Sequence, residues 1–341
     1  MRVFLTHNPE DLDAYYGRAL PELAAIATVV RNPTTGDLST DELLVHAADC
    51  DVIVAHRATP GERALFDRHP RLLAFLRCAV DISTIDTAAA SDSGVLVARA
   101  DTSYVASTAE LALALYLDLS RHVSDSTHDY RQGRDPAQRP GRQVRGQTAA
   151  ILGLGLIGTY LAELLVALGL RVLAHDVAAV EPPAGVELGA RNDVVAAADV
   201  VFPLAPANEA TRHLVDADLL RRMRPGALLV NVSRGELMDE NAVAAALDRG
   251  HLGGLALDVG MAPDQRPSPA LAARPGVVAT PHLGGLTPEN ADAQARSSVE
   301  QVAAMLAGDL PPRAVNAESA SRLRAWWGAG SADADGGDDG A

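Results

Sequence analysis

Gly153-Leu154-Gly155-Leu156-Ile157-Gly158 stands between the apolar run Thr148 to Leu152 and the helix-patterned stretch Thr159 to Leu168. Strand, glycine turn and helix N-terminus, in that order, turn backbone N–H groups and the positive end of a helix toward a pyrophosphate, and only glycine lets the chain approach so closely. Gly153, Gly155, Leu156, Ile157 and Gly158 are therefore expected to hold a dinucleotide. The next apolar segment, Arg171-Val172-Leu173-Ala174-His175, reads as a second parallel strand that leaves Asp176 at its carboxyl end, about 20 residues past the first glycine. A carboxylate there accepts from a ribose 2′-hydroxyl, and Val177, Ala178 and Ala179 supply no arginine to hold a 2′-phosphate. NAD is thus expected rather than NADP.

The fingerprint lies in mid-chain, and the 341 residues suit two domains, so a full domain's worth of sequence precedes it. A formal charge of −15 argues against nucleic acid and anionic membrane as partners, since both require a basic face. All 29 basic residues are arginine, which excludes a Schiff-base lysine, a P-loop lysine and a lysine general base. Cys50 and Cys78 are too few for a disulfide framework or a zinc cluster; they read as buried thiols of a cytoplasmic protein, and no metal site is expected. The N-terminus opens on the strand-like Arg2-Val3-Phe4-Leu5 with no signal-peptide core. The apolar stretch Thr148 to Leu170 is long enough to mimic a membrane span, yet its glycines and Glu163 read as strand, turn and buried helix.

From Arg2 to Asp101, strands at Val3 to Thr6, Ala27 to Val30, Val52 to Ala55, Ala74 to Val80 and Val95 to Ala98 alternate with helices such as Leu12 to Ala25 and Leu43 to Ala48. That rhythm predicts βαβ units and a parallel sheet. A long amphipathic helix, Thr108 to Leu119, leads into a polar, arginine-rich connection from Arg121 to Gly146. Beyond the fingerprint the alternation resumes, with strands at Val200 to Pro203, Ala227 to Asn231, Leu255 to Asp258 and Val277 to Thr280 and helices at Glu209 to Leu214, Ala217 to Arg222, Glu240 to Leu247 and Asn290 to Ala307. The fold class is α/β with two doubly wound parallel-sheet domains. The acidic, glycine-rich stretch 331–341 has nothing to bury and is expected to be disordered.

Function in an open parallel sheet sits at the carboxyl ends of its strands. Asn231-Val232-Ser233-Arg234-Gly235 follows one predicted strand, Asp258 ends the next, and Pro281-His282-Leu283-Gly284-Gly285 follows the last. Alone, Arg234 reads as a surface cation and His282 as a loop histidine. Behind successive strands of a nucleotide domain they become the parts that reduce a 2-oxo acid: a guanidinium fork for the carboxylate or oxo group, and an imidazole to donate a proton to the nascent alkoxide.

These motifs, with Pro206, Thr211 and Met223-Arg224-Pro225-Gly226, resemble the D-isomer-specific 2-hydroxyacid dehydrogenase family, which contains phosphoglycerate dehydrogenase, glyoxylate and hydroxypyruvate reductases and formate dehydrogenase. The resemblance implies a Rossmann NAD-binding domain over 102–286 and a flavodoxin-like substrate domain over 1–101 and 287–318, followed by a tail at 319–341. It implies a homodimer formed largely through the nucleotide domain, a small 2-oxo or 2-hydroxy acid as substrate, Arg234 as substrate anchor and His282 as acid/base. Pro206, Thr211, Ser233, Asp258 and His282 would join the fingerprint residues around NAD(H), with Asp258 at the nicotinamide. Arg57, in His56-Arg57-Ala58-Thr59, and Ala79 and Val80 would meet the substrate.

Two positions depart from the family pattern. Where the family places a glutamate that pairs with the histidine, this chain has Pro263; Asp264 would replace it if the loop shifts by one residue, with Gln265 the weaker alternative. The loop Cys78 to Asp86 lacks the family's glycine-rich turn and carries Asp81, which would repel a carboxylate unless it faces a main-chain donor. The missing glutamate also supports a second reading, an NAD(H)-binding regulator or scaffold with little turnover; retention of both Arg234 and His282 favours the enzyme.

Overall fold

The computed structural model describes residues 1–335; the rest of the acidic stretch, 336–341, lies outside the described residues. The chain divides into two compact units, Met1–Ser103 with the chain from Pro288 onward, and Tyr104–Thr287. Each is built on a wholly parallel sheet.

In the first unit the strands are β1 (Arg2–Leu5), β2 (Thr28–Arg31), β3 (Val52–Ala55), β4 (Ala74–Arg77) and β5 (Leu96–Arg99), in the order β2-β1-β3-β4-β5. Their near-continuous apolar runs follow from helices on both faces, with successive side chains serving opposite cores. Val3, Leu5, Val52, Val54 and Leu76 pack with Val302 and Met305 of the returning helix Pro288–Ala307, whereas Phe4, Ile53, Phe75 and Val97 pack with Leu43, Leu65 and Phe66. Asn316 pins the returning segment to β5: its Oδ1 accepts from the Val97 N–H at 2.8 Å and its Nδ2 donates to the Val95 carbonyl at 3.0 Å. The stretch after 319, expected as a tail, carries the helix Ser321–Asp335, which runs into the segment expected to lack structure. Leu323 is buried in the first core, and Trp327 Nε1 donates to the Met305 carbonyl.

The second unit contains β6 (Thr148–Leu152), β7 (Arg171–His175), β8 (Val186–Leu188), β9 (Val200–Pro203), β10 (Ala227–Asn231), β11 (Leu252–Leu257) and β12 (Val277–Ala279), ordered β12-β11-β10-β9-β6-β7-β8. The reversal between β6 and β9 is the switch point at which such sheets bind ligands. The helices Tyr104–Arg121 and Leu156–Ala167 cover one face, and Arg191–Ala197, Ala217–Arg222 and Glu240–Asp248 cover the other.

Four local expectations change. The helix expected over Leu12 to Ala25 is broken into a wide turn, Leu12–Tyr16, and a helix, Leu20–Ile26, because Gly17 and Pro21 interrupt the ladder. The connection after Arg121 holds a helix, Val123–Arg131, with no buried residue and hence no apolar stripe. Residues 209–214 form turns rather than a helix, and β8 is an added edge strand. Cys50 is buried, Cys78 is half-buried, and both thiols are free. No helix among the described residues is long and apolar enough to cross a membrane.

Candidate active site

The turn after β6 divides labour among its glycines. Gly153 has φ +106°, and a Cβ there would lie 2.5 Å from the Ala205 nitrogen. At Gly158 a Cβ would sit 2.2 Å from the Gly153 carbonyl oxygen, so this glycine seats the helix Leu156–Ala167 against its strand. Gly155 caps that helix, and a Cβ there would meet nothing within 4 Å. Its lack of a side chain serves no packing inside the protein; it leaves the unpaired N–H groups of the first helical turn open to an anion.

Asp176, at the end of β7, accepts from the Leu154 N–H at 2.7 Å and the Ala178 N–H at 2.8 Å. These donors, Ala178 foremost, hold its carboxyl below the usual carboxylate range. The fixed carboxylate is thereby tied to the fingerprint turn. Across the switch point, the Thr211 hydroxyl donates to the Pro206 carbonyl at 2.6 Å and closes the turn after β9, while Ser233 Oγ donates to the Ala205 carbonyl at 3.1 Å.

Asn231, the last residue of β10, is buried and staples the following turn: Nδ2 donates to the Arg234 carbonyl at 2.9 Å and Oδ1 accepts from the Ser233 N–H at 3.0 Å. Arg234 is half-buried, donates through one nitrogen to the Ser233 carbonyl at 2.8 Å, and forms no ion pair among the described residues. Its charge is available to an anionic ligand.

Asp258 is 0% exposed. Its Oδ1 accepts from Thr280 Oγ1 and the Leu283 N–H, both at 2.7 Å, and its Oδ2 from the Gly284 N–H at 2.8 Å. Asp258, expected at the nicotinamide, uses its carboxylate oxygens to hold the loop that carries His282. His282 adopts a left-handed backbone, φ +62°, and its Nδ1 lies 2.9 Å from the Asp264 carbonyl oxygen. A carbonyl only accepts, so Nδ1 carries the hydrogen and Nε2 is left as the nitrogen that exchanges protons. The Asp264 carboxylate, expected on the imidazole, is 74% exposed and lies 3.8 Å from Arg266. The residue named from the sequence does hold His282, but through its backbone.

In the first unit Arg57 is exposed, and Ala79 and Val80 are half-buried on the loop after β4. Asp81 meets a main-chain donor, accepting from the Ser83 N–H at 2.9 Å. Arg77, overlooked in the sequence, is 1% exposed and ties both loops together. It donates to the His56 carbonyl, to the Thr59 carbonyl at 2.8 Å and to Thr84 Oγ1 at 2.9 Å, and burial lowers it to about 10. Its signal in the sequence was a single arginine inside the apolar run Ala74 to Val80.

A parallel sheet with a tight glycine turn at its switch point, a carboxylate fixed at the end of the next strand and a histidine of fixed tautomer has the form of a dinucleotide-binding α/β domain. Residues 113–284 match the model of the D-isomer specific 2-hydroxyacid dehydrogenase NAD-binding domain, and the chain belongs to that family. It is 35% identical over 280 residues to D-3-phosphoglycerate dehydrogenase of Mycobacterium tuberculosis, covering 81% of this chain and 53% of that protein. Glyoxylate reductase of Korarchaeum cryptofilum is 30% identical, with 81% of this chain and 86% of that protein covered. The crystal structure of the TT0316 protein from Thermus thermophilus superposes with a TM-score of 0.80 at 30% identity, covering 92% of this chain and all of that one. The chain spans about half the length of the phosphoglycerate dehydrogenases it matches.

Proposed function

We propose that the chain is an NADH-dependent D-2-hydroxyacid dehydrogenase acting on a small 2-oxo acid. The observation that carries this reading is the His282 tautomer: with Nδ1–H committed to the Asp264 carbonyl, Nε2 alone is free to deliver a proton. The bound nicotinamide supplies or accepts the hydride. Gly155 and the first turn of the helix Leu156–Ala167 hold the pyrophosphate, and Asp176 the ribose. Arg234 orients the carboxylate and polarises the oxo group, and the protonated Nε2 of His282 neutralises the alkoxide. One 2-oxo acid, one NADH and one proton yield one 2-hydroxy acid and one NAD+. The first unit acts as the substrate domain, offering Arg57, Ala79 and Val80.

A homodimer is part of this proposal, supported by Val123 and Tyr130, which stand 56% and 67% exposed on the helix Val123–Arg131. Cytoplasmic residence is supported by the free thiols of Cys50 and Cys78. The test is NADH oxidation by the purified protein across a panel of 2-oxo acids, with Arg234→Ala and His282→Gln as controls. Turnover lost in both variants supports the enzyme. That no carboxylate among the described residues pairs with His282 favours one competitor, an NAD(H)-binding regulator, and tight NADH binding with no turnover on any 2-oxo acid would establish it.

A further inference from the structure

Three adjacent strands of the first unit deliver potential metal ligands to one place. Asp11 follows β1, Asp37 lies on the loop after β2, and His56 follows β3. His56 Nδ1 lies 3.7 Å from a carboxylate oxygen of Asp11 and 4.0 Å from one of Asp37, and the three atoms all lie within 4.8 Å of one another. The His56 and Asp11 side chains are 15% and 18% exposed.

Neither carboxylate is close enough to accept a hydrogen bond from the imidazole, and Nδ1 is buried without a partner. Both neutral tautomers are unfavourable, and an imidazolium would still hold its Nδ1–H beyond hydrogen-bonding reach of either carboxylate. With its hydrogen on Nδ1 the ring buries an unused donor; with a lone pair there, it faces two anions. Rotation offers no easy escape, because the ring stacks on Tyr15 at 6.0 Å between centroids and meets the edge of His7 at 5.3 Å. A cation between the three groups resolves both cases.

We propose that Asp11, Asp37 and His56 bind one divalent cation of the zinc type, with water completing its coordination. One imidazole and two carboxylates form a donor set of intermediate hardness, suited to Zn2+ more than to Mg2+ or Ca2+. Tetrahedral bonds of about 2.1 Å place neighbouring donors about 3.4 Å apart, so the cluster contracts on loading. Asp37, whose side chain is 58% exposed on its loop, is the arm free to move. Loading would tie the chain after β1 and the loop after β2 to the segment that carries Arg57, and would neutralise the two carboxylates beside it. No metal was expected from the sequence, because the ligands are scattered over three strand connections and share no spacing motif.

The test is calorimetric titration of ZnCl2 into untagged, chelator-treated full-length protein, alongside Asp37→Asn and His56→Gln. One equivalent is expected to bind, with affinity lowered at least tenfold in each variant and a Zn2+-dependent shift of the His56 imidazole 15N resonances. Asp37 is exposed, so its variant should melt with the wild type in chelator. Absence of stoichiometric binding, or binding undiminished in both variants, would overturn the proposal, as would His56 resonances that show an imidazolium unmoved by Zn2+.

Discussion

His282 Nδ1 lies 2.9 Å from the main-chain carbonyl oxygen of Asp264, while the Asp264 carboxylate faces Arg266 and solvent. The imidazole is therefore held by a dipole and not by a charge. Asparagine tolerates the left-handed backbone found at Asp264, φ +59°, and keeps the same carbonyl. Asp264→Asn should leave kcat within about threefold of wild type, whereas His282→Gln should lower it by about 10²–10⁴-fold, the usual worth of a positioned proton donor. Steady-state rates and their pH profiles check this; an Asp264→Asn defect as deep as that of His282→Gln would return the catalytic role to the carboxylate.

The loop beneath that imidazole hangs on Asp258. Asp258→Asn sets an amide NH2 against donors that now meet carboxylate oxygens. A destabilisation of about 1–3 kcal/mol is expected from the unsatisfied pair, with a fall in kcat as His282 loses its fixed place. Urea unfolding read beside turnover tests both parts, and an unchanged midpoint would remove Asp258 from this role.

The two helix-side glycines of the fingerprint should separate binding from folding. Gly155→Ala meets open space, so the melting temperature should hold while the NADH dissociation constant rises at least tenfold. Gly158→Ala drives a methyl into the Gly153 carbonyl and should destabilise the second unit by about 1–3 kcal/mol. Thermal melts and NADH fluorescence titration distinguish them; the reverse pattern would mean that the ligand approaches elsewhere.

What could be read from the sequence follows a physical rule. Val52–Ala55, Val200–Pro203 and Ala227–Asn231 were readable to the residue because buried parallel strands are unbroken apolar runs. The helix Val123–Arg131 buries nothing and so left no periodic trace, and β8 is a three-residue edge strand interrupted by Glu187. In the candidate site, the expected places of Arg234 and His282 just behind strands are the places the structure gives them. The partner of His282 was not, because a backbone carbonyl has no signature in side-chain identity. Asp258 was legible as important, but only the loop geometry shows that its oxygens serve Thr280, Leu283 and Gly284.

Leu323 tests whether the chain beyond 319 belongs to the first core. It is fully buried among residues of β1, β3 and the helix Pro288–Ala307. Leu323→Ala should cost about 2–5 kcal/mol, the range for a buried leucine whose cavity closes only in part. Denaturant titration monitored by Trp326 and Trp327 fluorescence would report it, and a loss under about 0.5 kcal/mol, the ordinary effect of a surface change, would show that the segment is dispensable.

Asp176, proposed above to bind the cofactor ribose, also makes acid stability a readout of its surroundings. The Ala178 N–H, with that of Leu154, depresses its carboxyl below the ordinary value. A folded pKa below the unfolded one favours the folded state wherever the group is ionised. The contribution is therefore complete above the unfolded pKa of about 3.9 and is lost as pH falls through the depressed folded value. Asp176→Asn should accordingly be less stable than wild type by a constant margin from about pH 5 upward, and the margin should close below about pH 4. The same variant should weaken NADH more than NADPH, because only the ribose 2′-hydroxyl uses the carboxylate as acceptor. Denaturant unfolding of both proteins between about pH 3 and pH 8, with paired cofactor titrations, decides the matter; a margin that widens toward acid would require a raised pKa and a different environment for Asp176.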